Sequence, residues 1–255
     1  MITKQEIKEH IEGYCKELRL PAIRQSFEED AREADLNNYA YEEFLYYLLQ
    51  KESDLRRENG KKNRIRLAGF PSKKYLEDLV VEELPDDARK KLKLLSSLEF
   101  IKTGQNVILA GNAGTGKTHI ATGLGIKACL EGYKVLFTTV PLLVNQLKES
   151  RSARILRAFE SKFEKYDLVI ADELGYISFD KEGSELLFTH LSLRAGRKST
   201  IITTNLSFER WEEIFKDPVM TAAMIDRLTH KSYIVNMNGN SYRLKETKKW
   251  LEEQE

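Results

Sequence analysis

The sequence predicts an α/β domain, a five-stranded parallel sheet flanked by helices, preceded by a small all-α domain. Three observations carry this reading. Helical signals run almost unbroken through the first 66 residues, five short apolar runs alternate with longer amphipathic segments from about residue 100 onward, and a glycine-rich turn at 111–118 sits between the first of those runs and a helix. Near-continuous apolar runs mark strands buried on both faces, and intervening helices are what connect parallel strands. A chain of 255 residues is long enough to bury a core in both parts without disulfides.

In the first part, IKEHIEGYCKEL sets Ile7, Ile11 and Leu18 on a helical face, and YEEFLYYLLQ places Tyr41, Phe44, Leu45, Leu48 and Leu49 on one apolar stripe. The stretch RRENGKKNRIR (56–66) ends this part with six basic residues and one acid, and AGFPSKK then breaks the pattern with Gly69 and Pro71. The expected domains are therefore 1–66 and 67–255. Within the second, QNVILAG reads as a strand and Lys117 to Leu130 as a helix. YKVLFTTV is the next strand, helices continue through Phe163, and YDLVIADE follows. A helix around 184–194, the strand STIITTN, helices through Thr229 and a last strand SYIVNM complete the order. No repeats or low-complexity tracts interrupt it.

Composition excludes several classes. The amino terminus MITKQEIKEHIEG mixes charges of both signs, and nowhere is there a run of about 18 apolar residues, so a signal peptide and a membrane span are not expected. Cys15 and Cys129 have neither a CxxC partner nor metal-ligand spacing and read as reduced, buried thiols of a cytoplasmic protein. The formal net charge is +1, so any nucleic-acid signal has to come from local clustering.

GNAGTGKT fits the pattern G-x-x-x-x-G-K-[ST] in the strand-then-helix context that the pattern requires. Gly111, Gly114 and Gly116 let the backbone of Asn112, Ala113 and Thr115 turn its N–H groups inward at phosphate oxygens, with the helix N-terminus adding partial positive charge. Lys117 would bridge the β- and γ-phosphates of ATP, and Thr118 would hold Mg²⁺. LVIADE (168–173) is a buried strand ending in two acids. Asp172 can hold Mg²⁺ and Glu173 can polarise an attacking water, which a hydrolase needs and a small-molecule kinase does not. Asn205, at the polar tip of STIITTN, fits a role in orienting the lytic water or touching the γ-phosphate, and equally fits ordinary turn chemistry.

The succession GNAGTGKTH, DLVIADELGY, STIITTN, DPVMTAAMIDRLTH and GNSYRLKE resembles the DnaC/IstB group of AAA+ ATPases, and within it the IstB-like ATP-binding proteins. LRLPAIRQSFEE, YEEFLYYLL, the AGFPSKKYLEDL linker and SFERWEEIFKDPV extend the resemblance over nearly the whole chain. It implies a P-loop AAA+ domain with a reduced C-terminal lid, since only eighteen residues follow Met237. It also implies that Arg227 is the arginine finger reaching the ATP site of a neighbouring copy in a homo-oligomer, and that Arg243 contacts nucleotide in its own subunit. Position alone leaves Arg227 as one member of a charged helix face beside Asp226.

Arg56, Arg57, Lys61, Lys62, Arg64 and Arg66 could neutralise nucleic-acid phosphates, and Arg151, Arg154 and Arg157 form a second candidate; both also fit solvated helix faces. No recognition helix or zinc-ligand set is apparent, so backbone contact is expected rather than base readout. The resemblance implies ATP-dependent assembly on double-stranded DNA, help to an IstA-type transposase in transposition, no membrane, and a bacterial, nucleoid-associated location when bound. The competing expectation is a DnaC-type replicative helicase loader, which shares the ATPase core. A metabolite kinase and a non-hydrolysing nucleotide switch stand further off. The adenine contacts are unassigned, with the linker from Phe70 to Leu79 as one wall.

Overall fold

The computed structural model describes residues 2–254. They form two compact units that divide between Asn63 and Arg64, three residues before the break read from composition. The helix ending the first unit continues across that division to Ala68 and stops at Gly69, the residue that the sequence marks as a breaker.

The first unit is helical. α1 (Lys4–Glu17) begins with a reciprocal cap: the Glu6 N–H donates to Thr3 Oγ1 at 3.2 Å and the Thr3 N–H donates to Glu6 Oε2 at 2.7 Å. α2 (Pro21–Leu36) opens on a proline, whose missing N–H costs nothing at a helix start. α3 (Tyr41–Ala68) carries the apolar stripe, but only Phe44 and Leu48 are half-buried, while Tyr41, Leu45 and Leu49 stay exposed. The stripe is wider than the strip that this small unit covers. Polar contacts supply much of the anchoring: Glu52, 4 % exposed, accepts from the Ala22 N–H at 2.9 Å and from Arg56 Nε at 3.0 Å.

The second unit opens with the linker, which includes 3₁₀ turns at Leu76–Asp78 and Val81–Glu83. It then runs through α4 (Asp86–Ser96), α5 (Glu99–Lys102), β1 (Val107–Ala110), α6 (Lys117–Leu130), β2 (Val135–Thr139), α7 (Val140–Ser152), α8 (Leu156–Phe163) and β3 (Leu168–Leu174). α9 (Lys181–Arg194), β4 (Ser199–Thr204), α10 (Glu212–Phe215), α11 (Pro218–Thr229), β5 (Tyr233–Asn236) and α12 (Tyr242–Glu252) complete it. All five strands are parallel in the order β2-β3-β4-β1-β5, which puts β1 and β4 side by side in the middle and their carboxyl ends at the site. The five-stranded parallel sheet flanked by helices is the one that the sequence predicts, and α12 follows β5.

Two apolar layers clamp the sheet. One joins Leu109, Ile170 and Ile201 to Leu124 of α6 and Leu95 of α4; the other joins Ile108, Val169 and Ile202 to Leu143 of α7, Leu187 of α9 and Trp211. Alternate residues of each strand serve opposite layers, as the pleat requires. Phe70 of the linker packs tilted against Phe137 at 5.9 Å, so it belongs to the core. The linker can cross α6 because Gly123 leaves room there: a Cβ would lie 2.7 Å from Leu76 Cδ2 and 3.1 Å from the Leu76 nitrogen. Both cysteines are buried and free, and burial pushes the Cys129 thiol up to about 11, in keeping with a small apolar side chain. Among the described residues no helix is long and apolar enough to cross a membrane.

The stretch 151–159 is two helices rather than one. α7 ends at Ser152, and the chain turns with Arg154 at a left-handed φ of 57° before α8 begins, so Arg151, Arg154 and Arg157 do not share a helix face.

Arg194 is 3 % exposed and donates to three carbonyl oxygens, those of Phe163, Tyr166 and Ser199, each at 3.1 Å, with its guanidinium 5.2 Å above the Phe163 ring. Burial depresses its pKa to about 10, so it stays charged at neutral pH. Arg194→Ala strands those carbonyls in a dry interior, where each unmade bond costs about 1–3 kcal/mol. Urea denaturation is expected to show a loss of at least about 3 kcal/mol for this variant, whereas a loss under about 1 kcal/mol would mean that water replaces the guanidinium.

Candidate active site

β1 leads straight into the glycine-rich turn. Gly114 adopts φ +78°, and a Cβ on it would lie 2.1 Å from Ser241 Oγ, so only glycine lets this loop pass the segment before α12. The turn ends at the N-terminus of α6, where Lys117, Thr118 and His119 form the first helical turn and the helix dipole is positive. Thr115 closes the loop on itself, its hydroxyl donating to the Asn112 carbonyl at 2.9 Å.

Lys117 is buried. Its ammonium donates to the Gly111 and Asn112 carbonyls at 2.7 and 2.5 Å. Burial lowers its pKa; the nearby Asp172 carboxylate works against that shift and Arg243 adds to it. Two cations on one cleft, Lys117 buried and satisfied by neutral carbonyls and Arg243 exposed, fit a polyanion. Thr118 Oγ1 donates to the Asp172 carboxylate at 3.1 and 3.2 Å, and Asp172 itself is 4 % exposed. One carboxylate and one hydroxyl, both hard oxygen donors, fit Mg²⁺, which keeps most of its waters and takes phosphate oxygens for the remainder.

Glu173 follows Asp172 at a bulge. Ala171 pairs with Ile202 and Leu174 with Thr204, so two residues of β3 oppose Thr203 alone. Glu173 takes a left-handed φ of 66° and is exposed, which turns its carboxylate away from the sheet into a cleft of about 460 Å³. The same cleft is lined by Gly114 through His119, Thr203, Tyr176, Tyr242 and Arg243, and by a wall from the linker, Lys74, Asp78 to Val80, Glu83 and Leu84. Lys245 of α12 pairs with Glu83 and so joins that wall to α12.

The structure thus brings together Gly114, Thr115, Gly116, Lys117, Thr118, Glu173 and Arg243, with Asp172 directly beneath through Thr118. Asn112 and Ala113 are exposed on the loop, and Asn112 Nδ2 donates to the Gly239 carbonyl at 3.4 Å. Asn205 is not on the cleft wall. Its Oδ1 is buried beside Gly175 and has no hydrogen-bond partner among the described residues. Arg227 lies away from the cleft on the open face of α11, its guanidinium 4.9 Å over the Phe188 ring, while Thr221, Met224 and Leu228 face inward.

Sequence reasoning missed Thr203, whose hydroxyl faces Asp172, and the part of the wall from Val80 to Leu84. Two adjacent threonines at the carboxyl end of β4, after Ile201 and Ile202, are a signal for the first. The wall carries no spacing signature, because its side chains are apolar or acidic and gather only when the linker folds back.

Of the six basic residues in 56–66, Arg56 is bound to Glu52 and to the Arg19 carbonyl, and Arg64 donates to the Cys129 carbonyl at 2.7 Å. Arg57 pairs with Asp54 at 3.5 Å and Lys61 with Glu58 at 2.7 Å, surface pairs that cost little to exchange. Lys62 and Arg66 are exposed.

Residues 13–250 match the family model described as IstB-like ATP binding protein. The chain is similar to the insertion sequence IS5376 putative ATP-binding protein of Geobacillus stearothermophilus, 35% identical over 248 residues that cover 97% of this chain and 99% of that one. It is 37% identical to the insertion sequence IS21 putative ATP-binding protein of Pseudomonas aeruginosa over 225 residues, 88% of this chain and 84% of the relative. Among solved structures, the replication initiator DnaA bound to AMPPCP and single-stranded DNA superposes with a TM-score of 0.58 at 19% identity, covering 72% of this chain and 56% of that one, a likeness of fold. With a family match spanning nearly its whole length and the nucleotide-site geometry in place, the chain belongs to the IstB-like ATP binding proteins.

Proposed function

We propose that this protein is an ATP-hydrolysing, DNA-binding assembly factor that helps the transposase of an insertion sequence act on duplex DNA. The observation that carries the ATPase reading is the convergence of Lys117, Thr118, Glu173 and Arg243 on one cleft, with Asp172 fixed below. The transposition reading rests on the relatives, which are named for insertion sequences, and these favour it over helicase loading.

In this reading the triphosphate lies along the loop from Gly111 to Thr118, and Lys117 leaves its two loop carbonyls for the β- and γ-phosphates. Thr118 and Asp172 would hold Mg²⁺, which when bound neutralises charge on those phosphates. Glu173 accepts a hydrogen bond from the attacking water and orients it in line. Arg243 meets phosphate charge from α12. The wall from Asp78 to Leu84 supplies apolar contact for the base. Among the described residues no second arginine lines the cleft, and in this reading Arg227, exposed on α11, serves a neighbouring copy. Its stacking on Phe188 is an exposed cation–π contact worth about 0.5–1 kcal/mol, small enough to give up.

On α3, this reading assigns Arg57, Lys61, Lys62 and Arg66 to DNA phosphates. Each phosphate neutralised steepens the salt dependence by about 0.9 in log–log slope. Replacing Lys61 and Lys62 together by Gln is expected to flatten the slope for duplex binding by about 2, alike for all sequences. An unchanged slope would move the contact elsewhere.

The ATPase reading is tested by mixing two inactive variants. Glu173→Gln lacks the group that orients water, and Arg227→Ala lacks the arginine offered to a neighbour; each alone is expected to lose about 10³-fold or more in phosphate release. Mixed, they form sites that pair an intact Glu173 with an intact Arg227, and turnover returns to a measurable fraction of wild type. Turnover that stays at the level of the separate variants would place Arg227 outside the site. Wild-type protein that releases no phosphate on DNA would overturn the reading as a whole.

A further inference from the structure

We infer that Thr203 is the positioning residue that holds the metal-binding carboxylate and the water-orienting glutamate in mutual register. Its hydroxyl donates to Asp172 Oδ1 at 2.5 Å and accepts the Glu173 backbone N–H at 3.0 Å, so one oxygen is bonded to both acidic residues. This deepens the phosphoryl-transfer reading above and rests on it.

The need for such a residue follows from the ladder. Between the pairs Ala171–Ile202 and Leu174–Thr204, β3 has two residues where β4 has one. A bulge of this kind leaves the ladder locally disrupted, and the Glu173 N–H goes to the Thr203 side chain instead of a backbone carbonyl of β4. Thr203 is 2 % exposed and Asp172 is 4 % exposed, so neither group can count on water for a replacement. The chemistry demands a hydroxyl. A donor alone would leave the amide unpaired, and an acceptor alone would face a carboxylate oxygen with nothing to donate. Threonine adds a branched Cβ, which restricts its side-chain rotation and suits it to a strand.

Thr203 also differs in kind from Thr118. Thr118 donates to Asp172 at 3.1 Å from the first turn of α6, and a lone pair of the same hydroxyl is the one offered to a metal. Thr203 is the donor from the strand beside Asp172, and its lone pair goes to the Glu173 amide instead. It keeps Asp172 in one rotamer and, through the amide, keeps Glu173 at its left-handed φ of 66°, a conformation that a non-glycine residue holds only where its surroundings enforce it.

The test compares Thr203→Val, which has nearly the same shape without a hydroxyl, with Thr203→Ser, which keeps the hydroxyl. Thr200→Val is the control: it lies on the same strand, and its buried hydroxyl has no partner among the described residues. Affinity for a fluorescent non-hydrolysable ATP analogue is measured with Mg²⁺ and with EDTA, alongside phosphate release. Thr203→Val is expected to lose about 10–100-fold of the affinity gained on adding Mg²⁺, and a similar factor in kcat, with binding in EDTA within about twofold of wild type. Thr203→Ser restores both and Thr200→Val changes neither. If Thr203→Val does not fold, Thr203→Ala replaces it with the same expectations. Equal behaviour of the hydroxyl-free and hydroxyl-bearing variants would overturn the inference, since the methyl group rather than the hydroxyl would then matter. Wild-type protein without any Mg²⁺-dependent gain would instead bring down the phosphoryl-transfer reading.

Discussion

The buried carboxylate of Asp172 is the constraint around which the second unit is arranged. An ion at 4 % exposure is costly to bury unless donors surround it, and here they come from two directions: Thr118 from the first turn of α6 and Thr203 from the neighbouring strand. Those contacts require β1, β3 and β4 to be neighbours, which the parallel order supplies, and they require the glycine-rich turn to deliver α6 with its N-terminus over the strand ends. The two apolar layers hold the strands in that order; the polar contacts at the strand tips say where along the strands the site must lie.

From this point the architecture reads outward. The bulge after Ala171 places consecutive acids in different environments, one beneath the cleft and one within it. Gly114 admits Ser241 close to the loop, and the Tyr242 N–H donates to the Gly114 carbonyl at 2.9 Å, so the start of α12 is tied to the phosphate loop just before Arg243. Lys245 then pairs with Glu83 of the linker wall. A helix with no buried residue is thus positioned by backbone and ionic contacts at its first turn, and it brings Arg243 to the site.

Much of this was legible in the residues. The strand order of events, the loop from Gly111 to Thr118 and the acids at 172 and 173 follow from patterns whose chemistry is local: a run of apolar residues, a glycine spacing, a pair of carboxylates at a strand end. What escaped depends on folding at a distance. Thr203 meets Asp172 only because of a bulge that no spacing announces. Phe70, expected beside the nucleotide, is instead drawn into the core by Phe137, and the wall begins farther along the linker. The basic residues 56–66 look like one cluster in a string, yet they are spread around a helix, and Arg56 and Arg64 are bound to groups of this chain. Charge counted along a sequence says little about where it faces.

Whether copies of the chain complete one another's ATP sites on DNA, as proposed, is decided by sedimentation velocity of the wild-type protein with a non-hydrolysable ATP analogue and Mg²⁺, on duplex and on single-stranded DNA of equal length. Large complexes that require the analogue and form selectively on duplex are expected, and Arg227→Ala is expected to weaken them. Protein that remains monomeric on duplex with the analogue bound, or that gathers only on single strands, would contradict the proposal.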